Sequence, residues 1–98
     1  MPDFIFLMHD DAPDAPQILY DWESYIAKLR ASGHFEGGSA IGAGECVNKS
    51  GVAPGISHHL SGYIRVRAES LSAAKMLVQG NPVFEAGGTV EIRQLSSE

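Results

Sequence analysis

Four histidines are the side chains here whose unperturbed ionisation falls near neutral pH, so they are the first candidates for moving a proton. His9 closes the apolar run Phe4-Ile5-Phe6-Leu7-Met8 and is followed by Asp10 and Asp11. A polar cluster directly after a strand is a frequent place for a site. His58 and His59 are adjacent, just ahead of an alternating stretch. Neighbours on a strand point to opposite faces, so one of the two could face a cavity as a general base while the other faces away. His34, after a helical stretch, reads as a helix-end cation. Trp22 and Tyr25 supply aromatic surface with polar tips that can line a cavity as well as fill a core.

Other chemistries find little support. No His-x-x-x-His or Cys-x-x-Cys spacing occurs, so no metal site is expected. Gly42-Ala43-Gly44 lacks the third glycine of a dinucleotide fingerprint, because Val47 stands there, and no Gly-Lys-Ser/Thr follows. No cofactor is expected. The one cysteine, Cys46, excludes an internal disulfide and suits a reducing compartment, so a cytoplasmic location is expected. The net charge of −5, with seven scattered Lys and Arg, argues against a nucleic-acid partner. No apolar run approaches the ~20 residues of a membrane span, so no membrane partner is expected.

The elements that must position these residues are legible from period and punctuation. Phe4 to Met8 reads as a central strand. Residues 11–16 form a proline- and aspartate-rich loop, and a helix is expected from about Pro16 to Ser32, with Gly33 as its stop. Ile18, Trp22, Ile26 and Leu29 make one stripe on it, flanked by Tyr25. A glycine-rich, irregular strand follows and is expected to continue through Glu45 towards a turn at Asn48-Lys49-Ser50-Gly51. In Ser61 to Ala68, Tyr63, Arg65 and Arg67 alternate with Ile64, Val66 and Ala68, which is a half-buried strand. Arg65 and Arg67 could bind an anion or pair with Glu91 across the sheet. Ser70 is a candidate N-cap, Gly80 a helix stop, and Pro82 a block to continuation. Val90 and Ile92, alternating with Glu91 and Arg93, return the chain to a strand.

The order strand, helix, strand, strand, helix, strand over one domain of 98 residues is the α+β, ferredoxin-like split βαβ pattern. Two helices would cover one face of an antiparallel sheet. The first strand is apolar on both sides, so the other face needs cover, and a second copy would make a homodimeric α+β barrel.

The chain resembles the YCII-related family, which includes the DGPF-type proteins, over nearly its whole length. The resemblance rests on Phe4-Ile5-Phe6-Leu7-Met8, Tyr25-Ile26-Ala27-Lys28-Leu29 with Gly33, Gly62-Tyr63-Ile64, Ser70-Leu71 with Ala73-Ala74, Asn81-Pro82-Val83-Phe84-Glu85-Ala86-Gly87-Gly88, and Val90-Glu91-Ile92-Arg93. It implies the dimeric α+β barrel. One branch of the family has a proposed His–Asp pair, and those two positions fall on Tyr25 and Asn81 here. Neither gives an easily ionised base at pH 7. The DGPF motif is also absent, with Gly55-Ile56-Ser57-His58 in its place. A few relatives are implicated in dehalogenation or isomerisation of muconolactone-type ring compounds.

Two functions follow as expectations. One is a small-molecule-binding dimer that acts as a cofactor-free lyase- or isomerase-type enzyme, with a histidine abstracting a proton α to a carbonyl and Tyr25 or Asn81 polarising the oxygen. The other is a non-catalytic dimeric module for a ligand or partner. The expected ligand-facing residues are His9, Asp10, Trp22, Tyr25, His58, His59 and Asn81.

Overall fold

The computed structural model describes residues 1–12 and 21–96. It is an α+β fold: four antiparallel strands in one sheet and three helices. The topology is compatible with a ferredoxin-like arrangement.

Strand β1 (Asp3–His9) buries every second residue, Phe4, Phe6 and Met8, and leaves the alternate side chains half-covered. Helix α1 (Trp22–Ser32) is capped by Asp21, whose carboxylate accepts the Ser24 N–H at 2.6 Å. It thus begins later than expected, and Pro16 and Ile18 lie outside the described residues. Its buried residues are Tyr25 and Leu29, so the packed stripe is rotated away from Trp22, which is 41% exposed. Gly33 ends the helix at φ 81°, with its N–H on the Arg30 carbonyl at 3.1 Å. Open space surrounds this glycine, so Gly33→Ala carries backbone strain alone. A loss of about 1 kcal/mol is expected, read from urea denaturation midpoints.

Strand β2 (Phe35–Ala40) is short, and residues 41–59 form neither helix nor strand. The expected continuation through Glu45 does not occur. The turn at Asn48 does form, closed by the Gly51 N–H on the Asn48 carbonyl at 3.2 Å. Strand β3 (Leu60–Arg67) buries Gly62, Ile64 and Val66. His58 and His59 lie in a turn just before it, not on a strand.

Helix α2 (Leu71–Met76) starts at Ser70, whose hydroxyl accepts the Ala73 N–H at 3.1 Å. A third helix, α3 (Pro82–Glu85), stands where the sequence signals only a stop. Asn81 is its N-cap and Pro82 occupies its first turn, where proline's missing N–H costs nothing. Strand β4 (Thr89–Leu95) completes the sheet.

The strand order is β2-β3-β1-β4. Phe6 sits opposite Ile64 on β3 and Ile92 on β4. Phe4, Phe6, Met8, Ile64 and Val66 pack against Tyr25, Leu29, Ala74 and Val78, so the core lies between the helices and one face of the sheet. Because β1 separates β3 from β4, Glu91 does not pair with Arg65 or Arg67. Arg67 instead bonds Asp3 and Glu36, each at 3.1 Å.

Candidate functional site

The expected site residues do not converge on one place. They divide between a pocket on the helix side of the sheet, a polar knot inside the core, and a charged cluster at the end of β1.

The pocket lies between α1 and strands β2 and β3 and encloses about 430 Å³. Trp22 and Ile26 line it from the helix, Met8 and Ile64 from the sheet, and Phe35 and Val83 from the flanks. Two glycines line it where the strands approach closely. A Cβ at Gly62 would stand 3.2 Å from the Ser39 carbonyl and 3.5 Å from the Met8 methyl. A Cβ at Gly38 would come within 2.6 Å of the Tyr63 carbonyl, which no side chain tolerates unless the strands shift. At both positions the neighbouring strand leaves little room for a side chain, so bare backbone lines this part of the pocket. Among the described residues Arg30 is the one charged residue lining the pocket, with its guanidinium 5.2 Å from the Phe35 ring centre, a cation–π distance. Trp22 meets Tyr25 edge-on, 6.0 Å between centroids. No histidine lines the pocket.

Tyr25 and Asn81 form the polar knot below. The Tyr25 hydroxyl donates to the Leu77 carbonyl at 2.7 Å. Burial pushes its phenol up to about 12, against a smaller opposite pull from the Asn81 amide. Asn81 is fully buried, and its Oδ1 accepts the Val83 and Phe84 N–H groups at 2.9 and 3.2 Å. Its Nδ2 is close enough to affect the phenol but makes no hydrogen bond among the described residues. Tyr25 ties α1 to the end of α2, Asn81 caps α3, and neither lines the pocket.

The third group sits on the opposite face of the sheet. The register places His9 beside Thr89 and Leu7 beside Glu91, so two β4 side chains reach the end of β1. His9 Nε2 lies 2.9 Å from Glu91 Oε1, and Arg93 Nη1 donates to Glu91 Oε2 at 3.2 Å. The His59 ring stacks on His9 at 4.8 Å, and its carbonyl accepts the Asp10 N–H. The His9 side chain is only 14% exposed. A carboxylate on one imidazole nitrogen fixes the tautomer and leaves the other nitrogen basic, the arrangement a general base uses. Hydrogen bonds from Arg93, then from His9, hold the Glu91 carboxyl below its ordinary range. Asp10 and His58 are exposed at the edge of this group. Cys46 is also exposed, its thiol directed at the Gly55 carbonyl at 3.6 Å.

Asp11 anchors β4 to this end, accepting the Thr89 N–H at 2.8 Å and the Thr89 hydroxyl at 2.7 Å. The hydroxyl is the larger cause of a lowered Asp11 pKa, followed by the backbone N–H. A depressed folded pKa means the stabilisation is complete above the ordinary value of 3.8 and is lost as pH falls through the lowered one. Thr89→Val should therefore move the Asp11 midpoint up towards 3.8 in a carboxyl-carbon NMR titration.

Among the described residues, no three His, Cys, Asp or Glu side chains converge to hold a metal ion. No helix there is long and apolar enough to cross a membrane. Sequence reasoning missed Glu91 as the partner of His9, and missed Arg30, Phe35 and the two glycines as pocket. The early signal for the pocket was the glycine content of β2 and β3.

No protein-family model matches the chain, and no curated protein matches it.

Proposed function

We propose that this is a small-molecule-binding protein of the YCII-related kind, a homodimer whose two sheets face each other as an α+β barrel, with the ligand held under α1. The pocket of about 430 Å³ carries the reading: it is apolar, open to solvent, and lined on its strand side by the glycine backbone of β2 and β3. Dimerisation is supported by the other face, where Ile5 and Leu7 of β1 lie in register with Tyr63 and Arg65 and remain half-covered.

The test is a thermal-shift screen of small organic molecules, followed by NMR on the Met8 methyl and Trp22 indole. Ligands that raise the melting temperature should shift both signals and lose their effect in Gly62→Leu. Hits that ignore both signals and the substitution would defeat the reading. Sedimentation equilibrium tests the dimer independently.

A second reading, a cofactor-free enzyme with His9 as base, is favoured by the 2.9 Å contact between His9 and Glu91. Absence of any histidine from the pocket places it second. It requires His9-dependent proton exchange at carbon α to a carbonyl. Incubation of small oxo-acids and lactones in D₂O with wild type and His9→Ala measures that directly.

A further inference from the structure

We propose that the pocket under α1 takes a flat aromatic carboxylate of one or two rings, with the rings on the glycine-lined backbone of β2 and β3 and the carboxylate on Arg30. The inference rests on the ligand-binding reading above and names the chemistry of the same site.

Size sets the first limit. An apolar cavity of roughly 150 Å³ accommodates benzene. About 430 Å³ leaves room for a second ring or a polar substituent. Shape sets the second limit. Gly38 and Gly62 put peptide planes, not side chains, at the pocket wall, while Trp22 and Phe35 lie around it. A thin, rigid molecule fits between a helix and such a surface, and aromatic edges around it favour an aromatic ring.

Charge sets the third limit. The chain carries a net charge of −5, yet among the described residues no acidic side chain lines this pocket and one guanidinium does. Arg67 and Arg93 are both bonded to carboxylates, whereas Arg30 makes no ion pair among the described residues. Its guanidinium carbon instead lies over the Phe35 ring, a contact that takes up no N–H group. A guanidinium in this setting matches a carboxylate with two parallel hydrogen bonds and rejects a cation. Arg30 is also the basic residue in the last turn of α1, where a cation favours the helix end. That role predicts a stability effect only, and binding data separate the two.

The experiment uses calorimetric titration of the full chain with 2-naphthoate and its neutral isostere 2-naphthamide, on wild type, Arg30→Gln and Ile26→Trp. Ile26→Trp narrows the pocket from the helix and leaves the strand glycines untouched, so it serves where Gly62→Leu disturbs folding. Wild type should bind naphthoate at least tenfold more tightly than the amide. Arg30→Gln should weaken naphthoate about tenfold and leave the amide unchanged, and Ile26→Trp should weaken both. Equal binding of acid and amide, indifferent to Arg30→Gln but lost in Ile26→Trp, overturns the carboxylate proposal and leaves the ligand-binding reading standing. Failure of both probes, with the thermal-shift screen yielding pocket-directed hits of another class, also overturns the proposal. Failure of both together with no pocket-directed hit removes the reading beneath it.

Discussion

Phe6→Ala should lower the unfolding free energy by about 3–5 kcal/mol. Phe6 is fully buried at the centre of the middle strand, opposite Ile64 on one side and Ile92 on the other. Truncation removes a whole ring from the layer where α1 meets the sheet, and the neighbours on paired strands cannot collapse into the gap without breaking register. For a domain whose total stability is of order 5–15 kcal/mol, the variant stands close to unfolding at 37 °C. Urea denaturation followed by circular dichroism gives the number directly. Leu7→Ala is the matched control, one residue along and on the other face, where the side chain is only half-covered. In the monomer it should cost about 1 kcal/mol. In the proposed dimer its effect should appear as a shift in the assembly equilibrium, visible by sedimentation. A cost for Phe6→Ala no larger than that of Leu7→Ala would contradict the placement of the core.

Asn81→Leu should cost about 2 kcal/mol, for a different reason. The leucine fills nearly the same volume but takes away the oxygen that receives the Val83 and Phe84 N–H groups. Losing a cap typically costs about 1 kcal/mol, and a buried donor left without a partner costs a further 1–3 kcal/mol. Part of this is returned, because the substitution also removes an amide nitrogen that is buried without a hydrogen bond. The four-residue α3 should fray, so exchange at the Val83 and Phe84 amides should quicken far more than at Phe6. Wild-type stability in Asn81→Leu would mean that the unpaired nitrogen already cancels what the cap contributes.

Fold and site were legible to different degrees. The apolar run Phe4–Met8, the alternation in Tyr63–Ala68 and the signals at Ser70 and Gly33 are local, so they mark their elements without reference to anything distant. Pro82 misled because proline both ends one helix and opens the next, and only the Asn81 side chain decides between them. The site depended on long-range register. Glu91 looks equally ready to meet an arginine or a histidine. Only the order β2-β3-β1-β4, which inserts β1 between Arg65 and Glu91, gives the carboxylate to His9. The ring contact between His9 and His59 requires the register shift at the end of β1, where Met8 faces Gly62 but His9 faces Leu60. Likewise, Gly38 and Gly62 become a pocket only when α1 is seen to cross above them with Trp22 and Ile26 on its near side.

The position of β1 bears on how the protein is made. It is translated ahead of both its neighbours, yet it lies between them in the sheet. Glu91, which bonds His9, comes 82 residues later. With β3 complete about 60 residues after β1, and at synthesis rates of about 5–20 residues per second, β1 waits roughly 3–12 seconds with neither side paired. For that interval Phe4, Phe6 and Met8, together with Ile5 and Leu7, form an uncovered apolar strand on a growing polypeptide. The chain is therefore most open to mispairing with its neighbours on the same messenger before it is complete, and its yield in a cell should respond more to translation speed and holding chaperones than to the stability of the finished fold.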